Sequence, residues 1–316
     1  MRRVLVTGAA GFTGPHVCRR LASSGCEVAA VVSRRSAGGM ARAAAETAAA
    51  VYACDLTDRD DVQRLCRTVR PDAVVHLAGQ NAVDASWQNP DLTLAANLMS
   101  TAYLLEGVRP IPGCRVLVVG STLREPAERL SASPHPYGFS KTLQVETALA
   151  WQRWYGLPVI VAEPSNLVGP GGSRGLCGKI ARWAAAAERA AEAAGVPPFR
   201  LSSLIESRDF LDVRDAAAAY ELLLREGDPG TAYAVESGTF RCLREVKEAF
   251  DRAARVPLRW EVGSSSFPSP APRDGSAIRR LGWRPAIPFD RSVADALEEE
   301  RQKIGSADDR KGQDAS

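Results

Sequence analysis

Val4-Leu5-Val6, followed at once by Thr7-Gly8-Ala9-Ala10-Gly11-Phe12-Thr13-Gly14, leaves few folds open to this chain. The apolar run reads as a buried strand, and the spacing of Val17 and Leu21 reads as a helix. Glycines at 8, 11 and 14 let the backbone turn sharply and come close to a ligand. The N–H groups and positive end of the following helix then attract a pyrophosphate. Phe12 and Thr13 complete the loop, and a dinucleotide is its natural guest. Three glycines alone are a weak signal, because loops use glycine for turning. A second strand-like run, Glu27-Val28-Ala29-Ala30-Val31-Val32, stands at the distance a βαβ unit needs and strengthens the reading.

The alternation continues. Val51–Cys54 reads as a third strand ending at Asp55-Leu56, then come a helix over 58–69 and a strand over 73–79. A helix over 92–108, a strand over 115–119 and a helix over 137–155 follow. Strands alternating with helices predict an α/β fold, a Rossmann-type doubly wound parallel sheet with its ligand at the C-terminal strand ends. His76, inside an apolar strand, reads as a satisfied core histidine. Residues 38–50 are alanine-rich, helix or surface loop, and 179–194 read as an alanine-rich helix. The Ser- and Pro-rich stretch 264–272 reads as a loop over the nucleotide, and 305–316 as a disordered tail.

Composition narrows the class. With 316 residues, 45% hydrophobic and 24% charged, the chain has the make-up of a soluble globular protein with one large or two intimate domains. A net charge of +3 without a basic block gives no push toward nucleic acid or a membrane surface. No apolar run reaches the roughly 18 residues of a membrane span. The chain enters its first strand directly, with no secretory signal. Seven cysteines, at 18, 26, 54, 66, 114, 177 and 242, show no metal-ligand spacing. A reducing, cytoplasmic setting and no metal are the expectation.

Three further stretches carry chemistry. Ser33-Arg34-Arg35-Ser36 follows the second strand, where such folds meet the adenosine ribose. Arg34 and Arg35 suit a 2′-phosphate, so NADP(H) is favoured over NAD(H). Ser121 and Thr122 end the fifth strand with two hydroxyls at the cofactor edge. Tyr137 and Lys141, four apart, share a helix face, and a nearby ammonium is expected to lower the phenol's pKa toward that of a proton donor or acceptor.

Taken together the motifs resemble the extended short-chain dehydrogenase/reductase (NAD-dependent epimerase/dehydratase) family, in its branch acting on nucleotide-activated sugars. The resemblance rests on the glycine loop, Asp55-Leu56, His76-Leu77-Ala78-Gly79-Gln80, Tyr137-x-x-x-Lys141, Asn166-Leu167-Val168-Gly169-Pro170-Gly171, Arg208-Asp209-Phe210-Leu211-Asp212-Val213 and Gly282-Trp283-Arg284-Pro285. The last three, with Arg34-Arg35, look most like GDP-mannose 4,6-dehydratases and GDP-4-keto-6-deoxymannose reductases. The resemblance implies an NADP-binding domain over 1–165, with segments near 205–235 returning to it, and a smaller C-terminal substrate-binding domain over 166–300. It implies cofactor contacts from Asp55, Leu56, Leu77, Ala78 and Gly79, and nucleotide-sugar contacts, GDP-linked by preference, from Gln80, Asn166 and Arg208; Lys179, on the alanine-rich helix, either touches phosphate or faces water. It also implies a homodimer built on the 92–108 and 137–155 helices, with Trp151, Trp154 and Tyr155 at hand.

One departure decides between activities. Relatives follow the strand-five hydroxyls with one or two acidic residues and a longer loop; this chain has Leu123-Arg124-Glu125-Pro126 and a short loop. A 4,6-dehydratase needs a base for the C5 proton and an acid for the leaving hydroxide. Glu125 is the acid nearest to replace them. A reductase needs only hydride, a proton from Tyr137 tuned by Lys141, and Thr122, or failing it Ser121, on the carbonyl oxygen. The expectation is therefore NADPH-dependent reduction of the C4 ketone of a nucleotide-linked 4-keto-6-deoxyhexose. The alternatives are a nucleotide-sugar 4-epimerase, a dehydratase with displaced acids, and a non-catalytic NADP-binding sensor.

Overall fold

The protein was analysed as a computed structural model that describes residues 2–34, 46–190, 195–265 and 269–313, with side chains to Gly305. Arg35 and most of the alanine-rich 38–50 stretch lie outside the described residues. The chain forms two compact units: Met1–Ser165 with Ala216–Val235 and Arg273–Arg284, and Asn166–Asp215 with Glu236–Pro272 and Pro285–Ser316. The 273–284 segment, assigned by sequence to the substrate domain, belongs to the first unit.

The first unit is built on β1 (Arg3–Thr7), α1 (Gly14–Ser23), β2 (Glu27–Val32), β3 (Ala50–Ala53), α2 (Arg59–Val69), β4 (Ala73–His76), α3 (Val83–Gln88) and α4 (Pro90–Leu94). A π-helical turn (Ala95–Met99), α5 (Ser100–Val108), β5 (Arg115–Val119), α6 (Pro136–Tyr155) and β6 (Val159–Pro164) follow. Val4, Leu5 and Val6 of β1, and Val74 and Val75 of β4, have no exposed surface. Central strands of a parallel sheet are covered on both faces, so they read as unbroken apolar runs. With β10 (Ala232–Val235) the sheet has seven strands in the order β10-β6-β5-β4-β1-β2-β3, every pairing parallel. The order reverses between β1 and β4, which opens the crevice where such sheets take ligands.

Caps set the helix starts. Asp58 accepts from the amides of Asp60 and Asp61 at 2.9 and 3.0 Å and so begins α2. His135 Nδ1 accepts from the Gly138 amide at 2.8 Å, and with Pro136 in the first turn it starts α6 where Tyr137 must stand. Gly156, at φ +67°, ends that helix in the left-handed conformation. The continuous helix expected over 92–108 is instead broken by the π turn. There Asn97 is fully buried, and its side chain bridges the backbone of Gln80 and the Ser140 hydroxyl. Extra π turns of this kind concentrate at functional sites.

The second unit contains β7 (Asn166–Val168), α7 (Leu176–Arg189), β8 (Phe199–Leu201), β9 (Ser207–Asp212), β11 (Phe240–Cys242), α9 (Leu243–Ala253), β12 (Trp260–Val262) and α11 (Phe289–Gln313). Between them in the chain, α8 (Val213–Glu226) leads into β10, and α10 (Ser276–Arg280) belongs to the first unit. Val168, Ile180, Phe210, Phe250 and Val293 form the second unit's core. Residues 305–313, expected to be disordered, continue α11. Among the described residues no helix is long and apolar enough to cross a membrane, and no cluster of metal-ligating side chains exists.

Candidate active site

The cofactor end of the first unit is shaped by glycine. Gly8 adopts φ +68°, and a Cβ there would lie 2.8 Å from the Ala78 amide. A Cβ on Gly14 would meet the Ala9 carbonyl at 2.4 Å, which holds α1 close to β1. Thr13 caps α1 without a side-chain hydrogen bond. A helix start with no side-chain cap suits a pyrophosphate. Beside it, Asp55 caps its own turn by accepting from the Thr57 amide and hydroxyl, and Leu56 packs on the core.

Arg34 forks onto Asp61 at 2.7 and 2.8 Å, and its side chain is 60% exposed. Burial opposes ionisation of Asp61, but the Asp55 amide with the Arg34 and Arg64 guanidinium groups outweigh it and bring its pKa down to about 2. Arg34 is thus a positioned cation with an open edge, a donor set that suits a phosphate.

Tyr137 and Lys141 are 5% and 2% exposed, in the first turns of α6. The Tyr137 amide donates to Ser86 Oγ at 3.1 Å, which satisfies one of the helix's free N–H groups. The Ser121 hydroxyl stands near enough to the Tyr137 phenol to favour its ionised form, and accepts from the Leu123 amide at 3.1 Å. Thr122, favoured from sequence, is turned away: its Oγ1 donates to the Pro164 carbonyl at 3.3 Å. Burial pushes the phenol's pKa up, and Ser121 only partly opposes it. The expected net lowering is not seen; the Lys141 ammonium donates to the Val119 carbonyl (3.1 Å) and Gln144 Oε1 (2.8 Å). Burial brings Lys141 itself down to about 7. Tyr137 is therefore kept as a protonated donor.

The short loop after β5 is held by arginines. Arg124 pairs with Glu163 of β6, their side chains 13% and 6% exposed. Arg273 donates to the carbonyls of Thr122 and Arg124 at 3.2 and 2.8 Å. Glu125 lies 3.8 Å from Arg129, and its carbonyl accepts from Thr142. Gln80, expected on substrate, spends its amide on Ala82 and Thr93. Its side chain fastens the turn after β4. His76 is fully buried and doubly bonded, to Thr7 and Thr101.

In the second unit, Asn166 donates from Nδ2 to the Asp209 carbonyl at 3.0 Å. Arg208 pairs with Glu206 at 2.7 Å and keeps 31% of its side chain exposed. Asp209 is taken up by Ser237, Gly238 and Thr239, and Asp212 by Arg214 and Ser292. Lys179 is exposed on α7. Sequence reasoning missed Gln144, Thr101, Asn97 and Arg273. Only Gln144 carried a local signal, three residues after Lys141 on the same helix face.

Comparison with known proteins agrees with this geometry. Residues 4–235 match the family model described as the NAD dependent epimerase/dehydratase family. The chain is 30% identical to GDP-6-deoxy-D-mannose reductase of Pseudomonas aeruginosa, across 96% of this chain and 98% of that one. It is 32% identical to a probable dTDP-glucose 4,6-dehydratase of Sinorhizobium fredii, across 74% and 71%. The solved structure of RMD from Pseudomonas aeruginosa complexed with NADPH superposes with a TM-score of 0.78 at 27% identity, covering 96% of this chain and all of that one. With its parallel seven-stranded sheet, glycine loop and Tyr137–Lys141 pair, this chain belongs to the NAD dependent epimerase/dehydratase family.

Proposed function

We propose that the protein uses NADPH to reduce the C4 ketone of a nucleotide-linked 4-keto-6-deoxyhexose, with GDP as the favoured carrier. The observation that carries this reading is Arg124, paired with Glu163 and standing just after β5, where dehydratases of the family carry acidic residues. A buried, paired glutamate is a poor base toward carbon, and Glu125 of the same loop lies 3.8 Å from Arg129. Reduction asks only for a proton donor and oriented hydroxyls. The 30% identity to a GDP-6-deoxy-D-mannose reductase over nearly the whole of both chains supports the same substrate class, and a relative solved with NADPH supports the cofactor.

Bound NADPH supplies the hydride. Tyr137 gives its phenolic proton to the oxygen that was the ketone, so the product is a secondary alcohol and NADP+. Ser121 orients the phenol and donates toward the same oxygen, where negative charge develops. Lys141 holds the nicotinamide ribose and places a positive charge beneath Tyr137. Gly8, Gly11, Phe12, Thr13 and Gly14 cradle the pyrophosphate, Leu77, Ala78 and Gly79 line the cofactor, and Arg34 with Arg35 binds the 2′-phosphate. Asn166, Lys179 and Arg208 take the nucleotide sugar, Arg208 as a fork on its diphosphate. A cytoplasmic homodimer is the working form we propose.

The test is NADPH absorbance with a GDP-4-keto-6-deoxyhexose. Steady oxidation is expected, with NADH a poor replacement. Conversion of GDP-mannose to a keto-sugar by this protein alone would overturn the reading in favour of a dehydratase.

A further inference from the structure

A chain of buried hydrogen bonds runs from β1 to Lys141, and its direction is fixed at each link. The Thr101 hydroxyl donates to the Asn97 carbonyl at 2.7 Å, and a carbonyl can only accept. Thr101 Oγ1 therefore only accepts from its other two neighbours, His76 Nε2 at 2.9 Å and Gln144 Nε2 at 2.9 Å. His76, held neutral with a pKa of about 3 by burial and by the charge of Lys141, then carries its proton on Nε2. Its Nδ1 accepts from the Thr7 hydroxyl at 2.8 Å, and Thr7 Oγ1 in turn accepts from the Ala78 amide at 3.2 Å. At the other end, the Gln144 NH2 is committed to Thr101, so its carbonyl oxygen must face Lys141, 2.8 Å from Nζ.

We infer that Gln144 is a positioning residue for the catalytic lysine: its amide, locked by Thr101 and His76, holds the Lys141 ammonium in one rotamer and in its charged form. Gln144 and Thr101 have no exposed surface, so no water competes for these bonds. With Val119 O and Gln144 Oε1 each taking one N–H, the third N–H of Lys141 is left for the ribose. The groups that titrate around Lys141 are His76 on β4, neutral, and Tyr137 on α6; Glu163 on β6 is neutralised by Arg124. No carboxylate holds the lysine's charge in this set. An amide oxygen does it instead, and a bond from a charged donor is worth about 1.5–3 kcal/mol.

The inference rests on the reductase reading for its catalytic meaning, but its deciding readout, the titration of Lys141, needs neither substrate nor cofactor. The chain has five lysines, at 141, 179, 247, 303 and 311. Lysine labelled with 13C at Cε therefore gives few signals, and loss of one in Lys141→Met assigns that of Lys141. In the wild-type protein the Lys141 signal is expected to titrate near neutral pH. In Gln144→Met the midpoint falls by about one pH unit or more, the bond's strength converted at about 1.4 kcal/mol per unit. In Gln144→Glu, which keeps the volume and adds a carboxylate, it rises. NADPH affinity of Gln144→Met, read by fluorescence at pH 7, falls in step. Unchanged midpoints in the variants overturn the inference, and should Gln144→Met fail to fold, the direction of the Gln144→Glu shift decides alone. Wild-type protein that titrates as described yet reduces no keto-sugar would refute the reductase reading and leave Gln144's hold on Lys141 standing.

Discussion

The tyrosine centre of the first unit and the candidate sugar contacts of the second are built in opposite ways. Tyr137, Lys141, Gln144 and Ser121 are all buried, and Lys141 bonds both to Gln144 and to the end of β5. Lys179 and Arg208 keep exposed surface, and Arg208 and Asn166 bond to neighbours on or beside their own strand. Burial fixes protonation and geometry, which proton transfer needs. Exposure leaves the recognising groups free to be exchanged. The contrast predicts that changes in the first group act on chemistry or stability, and changes in the second on affinity.

The largest effect belongs to Tyr137→Phe, which removes the proton donor and nothing else of size. Turnover should fall by roughly 100- to 10,000-fold while NADPH still binds, measured by absorbance and fluorescence titration; a fall below tenfold would break the contrast at its centre. Next is Glu163→Leu, which strands the buried Arg124 charge. Stability should drop by about 3–5 kcal/mol, seen as a melting temperature lower by roughly 10 °C, and Arg124→Leu added to it should recover part of the loss.

Smaller changes sharpen the contrast. Arg208→Lys keeps the charge but loses the fork, so KM for the nucleotide sugar should rise about tenfold with kcat nearly unchanged. A matching fall in kcat would place Arg208 with the chemistry instead. The smallest effect is one of pH. Lys141 holds its proton below about 7 in the folded chain but up to 10.5 when unfolded. The unfolded chain thus binds the extra proton between those values, and stability attributable to this residue rises with pH across that window. Around pH 7 the folded chain's Lys141 loses its charge, so NADPH affinity should weaken from pH 6 to 8 by up to about tenfold. Lys141→Met should flatten both trends.

What the sequence disclosed was local. The glycine loop, the strand–helix rhythm, the Asp58 cap and the Tyr137–Lys141 face are each set within one element, where periodicity and spacing suffice. The choice between Ser121 and Thr122 was not readable, because neighbouring residues at a strand end point opposite ways and only the structure shows which meets α6. Arg124 and Glu163 stand 39 residues apart, and Arg273 reaches the same loop from 149 residues away. Their meeting depends on sheet order. Gln80, expected on substrate, uses its amide in the turn after β4, a pairing that spacing does not encode. The polarity of Gln144 follows only from the whole hydrogen-bond chain, which no spacing encodes.

The most direct test of the account is transfer of label. A GDP-4-keto-6-deoxyhexose incubated with the protein and 4-deuterated NADPH should yield a GDP-6-deoxyhexose carrying one deuterium at C4, with one NADPH consumed per product. Deuterium absent from C4 of the product, or NADPH left unconsumed, would contradict a tyrosine-centred reduction and show that the buried site performs different chemistry.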